Sequence, residues 1–185
     1  MMFKRRFAAI LTAIGLAAAL WTPALAADRT FRDVPAGHWA AGYIQELSEK
    51  GYIEGVGSGR FAPEEPLSNA SFVVMAMRPF LPALGLDGAG LESGGSWYQG
   101  YLDSARSLGL LDGCTFTDAQ ANSAMSRYDM ACLVAALGQR VGLAAPAGSG
   151  GARLTDYDSI PAGRRQAGDY TCALGLLSGY DDGAF

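Results

Sequence analysis

A recurring spacing of aromatic residues and glycines constrains the fold of this 185-residue chain more than any other feature. Two triplets share steps of four and then eight residues: Trp39, Tyr43 and Gly51, and Trp97, Tyr101 and Gly109. Such a pattern is typical of chains built from similar supersecondary units that bury their apolar faces against one another. The chain is therefore predicted to consist of successive units rather than of one unrepeated domain.

The first unit, at residues 31–84, is predicted to contain a helix, a glycine-rich loop and a second helix. Trp39 and the apolar residues that follow it fall on one helical face, and Gly51 suits the left-handed conformation that commonly follows a helix. Glycines punctuate residues 55–59 and indicate a loop there. Ser68 has the side chain of a helix N-cap and predicts where the second helix begins.

Two weaker copies of this pattern follow, at residues 95–142 and 154–185. The first copy is predicted to have the best-formed helix of the chain, which begins at Ser126 and carries a regular apolar stripe. Glycine-rich segments at 85–96 and 142–153 separate the units, and the second of them is predicted to be a flexible spacer. The last copy reaches its glycine loop where the sequence stops, so either the sequence is a fragment or the protein ends on an incomplete repeat. A missing second helix is expected to expose apolar surface and to cause instability or association.

The N-terminal segment 1–26 has the pattern of a secretory signal peptide. Three basic residues precede an apolar run from Phe7 to Leu20, and the sequence ALA at 24–26 supplies the small residues of a cleavage site. The alternative is an uncleaved membrane anchor, but this run of 14 residues is short for a span, which needs roughly 20. We therefore predict export, cleavage after Ala26 and no transmembrane span in the mature chain.

The charge of the mature chain excludes one large class of partners. Cleavage removes three of the 14 basic residues and none of the 18 acidic ones, which leaves 11 against 18 and a formal charge of −7. Nucleic acids are bound mainly through Lys and Arg that neutralise phosphate, and anionic membranes attract the same side chains. The prediction is therefore of a protein with no nucleic-acid partner.

Cysteine and histidine content argues against metal or catalytic chemistry. The chain has three cysteines, Cys114, Cys132 and Cys172, and one histidine, His38. The odd number and wide spacing of the cysteines favour small, buried apolar residues over a disulfide framework, although two of them could pair outside the cytoplasm. We predict no cofactor, no metal site and no catalytic residue, because no Ser/His/Asp or Cys/His arrangement is found around the single His38.

Several short motifs resemble the repeats of the S-layer homology (SLH) family. The family pattern runs F-x-D-V, a tryptophan-led helix, G-[IVL]-[IVL]-x-G, and G-x-F-x-P. The first unit matches it with FRDV at 31–34, Trp39, GYIEG at 51–55 and GRFAP at 59–63. The resemblance implies an all-α fold of SLH repeats (helix, Gly-rich loop, helix) in a pseudo-threefold helical assembly, with the third repeat incomplete. It also implies a location in the cell envelope and binding to a cell-wall polysaccharide, often one that bears pyruvyl ketals.

The second helix of an SLH repeat opens with the sequence TRAE, which combines a fold signal with a ligand signal. Its Thr and Glu form a capping box, and its Arg lies beside the positive end of the helix, where a planar carboxylate could bind. The second unit keeps this pattern as SRYD at 126–129, whereas the first unit has SNAS at 68–71, with Asn69 in place of the arginine. We predict that Arg127, with Ser126, contacts the ligand. The alternatives are a solvated surface arginine or an intramolecular partner for an acidic neighbour.

Four further residues are candidates for ligand binding. Asp33 and its counterpart Asp156 could accept hydrogen bonds from sugar hydroxyls, although we favour a structural role in a turn or cap. Trp39 and Trp97 could stack on a sugar ring, although their helical spacing with tyrosines favours anchoring in the core.

These residues lead to a prediction of an exported anchoring module that non-covalently binds an anionic secondary cell-wall polysaccharide, for example a pyruvylated one, or another peptidoglycan-linked polymer. The alternative is that the degenerate repeats form a structural or protein-interaction module without sugar binding. An envelope hydrolase is a third hypothesis with little support in these residues. Its catalytic domain would have to lie downstream of Phe185 in a longer chain.

Overall fold

The computed structural model describes residues 30–92, 95–144, 155–178, 180 and 182–184. The predicted signal peptide and most of the predicted spacer at 142–153 lie outside these residues. Within them the chain is all-α with no β-strand, which confirms the predicted fold class. None of the described helices is long and apolar enough to cross a membrane. The number of repeats and their pseudo-threefold arrangement stay predictions.

Seven α-helices occur in the described residues. In chain order they are α1 (Ala41–Glu49), α2 (Asn69–Met77), α3 (Leu81–Leu84), α4 (Gly88–Leu91), α5 (Gln99–Ser107), α6 (Arg127–Arg140) and α7 (Ala162–Ala173). Short 3-10 turns lie at Arg78–Phe80, Asp118–Gln120 and Tyr157–Ser159. Helix α4 falls inside the glycine-rich segment at 85–96, so that segment is partly helical.

The helix boundaries follow the residues that predicted them. Ser68 and Ser126 cap α2 and α6, because the hydroxyl of each accepts the backbone N–H three residues on, at 3.1 Å in both cases. Gly51, Gly109 and Gly175 follow α1, α5 and α7 with φ of 72°, 71° and 67°. Only glycine adopts this left-handed conformation without steric cost. The predicted caps and the predicted left-handed glycine at 51 are therefore confirmed.

The main hydrophobic core lies between α2, α5 and α6. Its fully buried side chains include Val73 and Met77 from α2, Leu102 from α5 and Leu133 from α6. Backbone hydrogen bonds from the start of α2 to the segment before α6, including Ala70 N–H to Ala121 O at 2.8 Å, join the same parts of the chain. A smaller cluster around Ala131 and Ile160 packs α7 onto α6.

The preferred placement of Trp39 and Trp97 in the core is wrong. Trp39 is 83% exposed and Trp97 is 53% exposed. Trp39 precedes α1, which begins at Ala41 and buries Ile44 and Ser48 on its inner face. The two helices also differ in register, since Tyr101 is 1% exposed while Tyr43 is 67% exposed. The shared spacing therefore did not imply a shared burial.

Apolar side chains of α2 and α6 line an open groove of about 360 Å³. Phe72, Met75 and Ala76 contribute from α2, and Val134 and Leu137 contribute from α6. The expectation that a missing second helix exposes apolar surface, with instability or association as the result, stays a prediction.

Candidate functional site

The loop that follows α1 is held in shape by Asp33. Its two carboxylate oxygens accept the backbone N–H groups of Phe61 and Ala62, each at 2.8 Å. Ala62 has φ of 60°, a left-handed conformation that is costly for a residue with a side chain. The paired hydrogen bonds hold this turn closed, and Arg32 N–H adds a bond to the Gly59 carbonyl at 3.0 Å. Asp33 therefore has the structural role that the sequence favoured, and its predicted contact with sugar stays a prediction.

The carboxylate of Asp33 predicts a pH-dependent contribution to stability. Desolvation by itself raises the pKa of Asp33, but the N–H groups of Phe61 and Ala62 and the Arg60 guanidinium outweigh it and hold that pKa below its ordinary 3.8. A lowered folded-state pKa means that the stabilisation is present above the unfolded-state pKa, about 3.9, and is lost as pH falls through the folded-state pKa. We expect Asp33→Asn to lower Tm at neutral pH, with a deficit that shrinks toward acid. Thermal unfolding across acidic pH, with Asp103→Asn as an exposed control, measures this, and a pH-independent deficit would contradict it.

A cleft of about 500 Å³ lies between the first glycine loop, α2 and Trp97, which lies two residues before α5. Glu54 and Val56 line it from the loop, Ser71 from α2, Arg78 from the turn after α2, and Trp97 from the start of the second unit. We call this the first-unit cleft. An adjoining cleft of about 420 Å³ shares the walls Glu54, Val56 and Ser71 and continues along the loop.

Arg78 forms the polar wall of the first-unit cleft. Its guanidinium contacts Glu54 at 3.2 Å and Glu92 at 3.1 Å, and it lies 6.0 Å from the centre of the Tyr101 ring. Tyr101 donates its own hydroxyl to Glu92 at 3.1 Å, and burial raises the pKa of Tyr101. The sequence motifs did not point to Arg78. Its position in the sequence could have indicated it. Arg78 follows Ser71 by seven residues, about two helical turns, so the two side chains lie on one face of the helix.

Trp97 is the predicted site residue that lines this cleft. Its ring packs edge-to-face against Tyr98, with 5.4 Å between centroids, which limits how the indole can turn. Just over half of the residue remains accessible. Trp39 lies elsewhere on the first unit, where it stacks on His38 with 5.7 Å between ring centroids.

The start of α2 is used to join units. Asn69, which stands where the SLH pattern has arginine, is 2% exposed. Its side-chain amide donates to the Gln120 carbonyl at 2.8 Å. The nearby hydroxyls of Ser68 and Ser71 lie 2.8 Å apart. The helix start that borders the cleft therefore carries no cationic side chain in its first turn.

Arg127 is engaged within the protein. Its guanidinium donates to the Ser178 carbonyl at 2.6 Å and lies 4.6 Å from the centre of the Tyr180 ring. Both partners belong to the loop after α7, so Arg127 fastens that loop to α6. These are contacts within the protein, and the predicted pairing of Arg127 with an acidic neighbour stays a prediction. Ligand contact by Arg127 and Ser126 stays a prediction.

The acidic residue of the same motif, Asp129, is a buried carboxylate with several hydrogen-bond donors. Asp129 is 4% exposed and accepts Thr115 N–H and the Ser126 hydroxyl, each at 2.8 Å. It therefore ties the second glycine loop to the start of α6. Next to it, Tyr128 donates its hydroxyl to Asp156 at 3.2 Å. Asp156 thus lies at the junction of α6 with the third unit, apart from the residues that line the first-unit cleft.

The three cysteines are unpaired thiols, and Cys132 is buried while the other two are half-buried. Burial raises the pKa of Cys114 to about 12, so this thiol stays protonated at neutral pH. Within the residues that the structure describes, no cluster of three or more His, Cys, Asp or Glu side chains could hold a metal ion.

Comparison with known proteins identifies the family. Residues 30–72 match the family model of the S-layer homology domain. The chain is 31% identical over 134 residues to the S-layer protein sap of Bacillus anthracis, an alignment that covers 71% of this chain and 16% of that protein. The S-layer protein EA1 of Bacillus anthracis is 41% identical over 73 residues, 40% of this chain and 8% of that protein. The cellulosome-anchoring protein of Acetivibrio thermocellus is 25% identical over 112 residues, 57% of this chain and 25% of that protein.

The chain belongs to the S-layer homology domain family, as its motifs predicted. It spans at most about a quarter of the length of these relatives. A cell surface protein of Thermoanaerobacter kivui, 34% identical over 104 residues that cover 56% of this chain and 12% of that protein, is a further relative. The names of these proteins agree with the predicted location at the surface of the cell envelope.

Proposed function

We propose that this chain is a non-catalytic anchoring module that holds an exported protein to the cell wall by binding a secondary cell-wall polysaccharide in the first-unit cleft. The observation that carries the proposal is the exposed Trp97, which packs edge-to-face against Tyr98 and lines a cleft. The carboxylate of Glu54 and the hydroxyl of Ser71 belong to residues that line the same cleft. An indole face packs well on the C–H face of a sugar ring, while carboxylates and hydroxyls bond its hydroxyl groups. The names of the S-layer and cellulosome-anchoring relatives support an anchoring role.

The predicted recognition of a pyruvyl ketal is assigned to Arg127. It requires that the guanidinium serve a ligand carboxylate while it keeps, or exchanges, its contacts with Ser178 and Tyr180. A planar guanidinium can bond a carboxylate through two N–H groups at once, which makes this exchange chemically reasonable. Under this assignment the second unit, and not the first, binds the acidic substituent.

A specific observation favours the alternative of a structural or protein-interaction module. The arginine of the family pattern is replaced by Asn69 in the first unit, and Arg127 in the second unit binds the third. Both positions thus stabilise contacts between units. If the chain does not bind sugar, these contacts between units would by themselves explain the presence of Asn69 and Arg127 at these positions.

Removal of Trp97 tests the proposed cleft. We expect Trp97→Ala to weaken retention on purified wall polysaccharide about tenfold, because the stacking surface is lost. Tyr43→Ala, which removes another exposed aromatic ring outside the cleft, is the matched control and should bind like the wild type. Sedimentation of the full chain with the polymer, read as the bound fraction against polymer concentration, gives both values. Equal binding by Trp97→Ala and the wild type would refute the cleft, and no binding by any variant would refute the function.

Arg127→Ala separates the two roles of that arginine. If it serves mainly to hold the loop after α7, the variant should unfold at a lower temperature and bind the polymer within about twofold of the wild type. Arg140→Ala, an exposed arginine at the end of the same helix, is the control for loss of charge. An unchanged Tm with a tenfold loss of binding would instead make Arg127 a ligand residue.

A further inference from the structure

We infer that the first-unit cleft selects a saccharide unit without an acidic substituent, and that a pyruvylated unit is disfavoured there. The inference rests on the proposed function, because it concerns which sugar that cleft accepts. It follows from the charges around the cleft, the loss of the cation at the start of α2, and the chemistry of the remaining walls.

The charges that face the cleft have a negative balance. Glu54 lines both parts of the cleft, with its side chain 61% exposed, and Glu65 lines the adjoining part. Arg78 is the cation among the lining residues, and its side chain is only 12% exposed between Glu54 and Glu92. The carboxylates of Glu54 and Glu92 therefore flank the Arg78 guanidinium, so this cation attracts an anionic ligand only weakly.

The cations nearest the loop are committed to the loop itself. Arg60 lies 3.6 Å from both Asp33 and Glu65. Arg32 donates to the Ser58 carbonyl. Their charges are therefore matched by carboxylates or bonded to the backbone of the loop, and neither residue lines the first-unit cleft.

The place where an acidic substituent would need a cation is occupied by a buried amide. Asn69 is 2% exposed and bonds Gln120, so its side chain is part of the contact between units. No residue in the first turn of α2 supplies a replacement, because the residues after Asn69 are Ala70 and Ser71. The hydroxyl of Ser71, paired with Ser68 at 2.8 Å, is a polar group suited to a neutral partner.

The remaining walls suit the uncharged parts of a sugar. Trp97 and Val56, 53% and 64% exposed, offer an apolar surface to the C–H face of a pyranose ring. The Glu54 carboxylate can accept hydrogen bonds from the hydroxyl groups of a sugar. Its negative charge would repel a carboxylate on the ligand. The cleft thus combines an aromatic platform with an acceptor, a combination that favours a neutral, hydroxyl-rich sugar.

The test compares two forms of one polymer on the full chain carrying Arg127→Ala, at a temperature where this variant is folded, so that the carboxylate contact proposed for the second unit does not contribute. Purified pyruvylated wall polysaccharide is titrated before and after mild acid removal of its ketals, with binding followed by calorimetry. We expect the depyruvylated polymer to bind at least about threefold more tightly, and binding of the pyruvylated form to strengthen as salt screens the repulsion. Glu54→Gln should reduce the preference for the depyruvylated polymer, because one charge that repels the pyruvyl carboxylate is removed. Trp97→Ala should weaken binding of both forms of the polymer.

The outcomes separate this inference from the function on which it rests. Tighter or equal binding of the pyruvylated form overturns the inference while leaving polysaccharide anchoring in place. A salt-induced loss of its binding to the Arg127→Ala chain does the same, because it indicates attraction to a cation at the cleft. Failure of both polymer forms to bind the wild-type chain overturns the proposed function itself.

Discussion

Gly55→Ala is expected to lower the free energy of unfolding by about 3 kcal/mol, because the backbone at this position leaves no room for a side chain. A Cβ atom there would lie 2.5 Å from Cε1 of Phe31 and still closer to the carbonyl oxygen of Arg60. The second clash is with backbone, so it can be relieved only by moving the loop. Val56 N–H donates to that same carbonyl at 2.9 Å, so the shift would also strain a loop hydrogen bond.

Urea denaturation followed by circular dichroism measures this effect. Gly37→Ala is the matched control, since a Cβ at Gly37 meets nothing within 4 Å. That variant should stay within about 0.5 kcal/mol of the wild type. Equal stabilities for the two variants would show that the loop can move at little cost. Because Gly55 also lines the first-unit cleft, a destabilised Gly55→Ala chain should bind polymer less well even where it remains folded.

Asp129→Ala is expected to cost about 3 kcal/mol, because it leaves buried donors without their acceptor. The carboxylate accepts both the N–H of Thr115 and the hydroxyl of Ser126, and its guanidinium neighbour Arg164 lies 3.9 Å away. The second glycine loop and the start of α6 would lose their common anchor. The effect should exceed that of Ser126→Ala, which removes the N-cap and one of the donors to Asp129 and should cost about 1 kcal/mol.

Asp112→Ala is the control for Asp129→Ala, because Asp112 is an exposed carboxylate of the same loop. We expect it to change the free energy of unfolding by less than about 0.5 kcal/mol. Chemical denaturation of Asp129→Ala, Ser126→Ala and Asp112→Ala in parallel ranks the three variants by their free energy of unfolding. If Asp129→Ala proved no more destabilising than Asp112→Ala, the buried carboxylate would not anchor the loop.

These predictions concern stability in residues that the SLH pattern also associates with function. Asp33, Asn69, Arg127 and Asp129 all make contacts within the protein, and two of them, Asn69 and Arg127, join different units. Proposed ligand binding therefore rests more on Trp97 and the walls of its cleft. The binding experiments and the unfolding experiments on these residues can be read independently of each other.

Local features could be predicted from the sequence because their causes are local. A serine before an apolar helix caps it through its own hydroxyl, as at Ser68 and Ser126. A glycine after a helix adopts the left-handed conformation because it lacks a Cβ, as at Gly51. The family, too, could be recognised, since its motifs are made of such local signals.

The direction and partners of long side chains depended on packing between distant segments. The spacing of Trp39 and Trp97 favoured a core position, but α1 and α5 face their neighbours in different registers, and both indoles are exposed. Arg127 meets Ser178 and Tyr180, which lie about fifty residues further along the chain. Nothing near Arg127 in sequence indicates those contacts.

By itself, the sequence determined the helix caps, the left-handed glycines and the motifs of the S-layer homology family, which are local signals over a few residues. Only the tertiary structure decided that Arg78 and Trp97 share the walls of one cleft and that Asn69 and Arg127 join units. The physical reason is that a cleft or an interface is formed by side chains from separate segments. Their meeting is set by how the helices pack, which local preference does not specify.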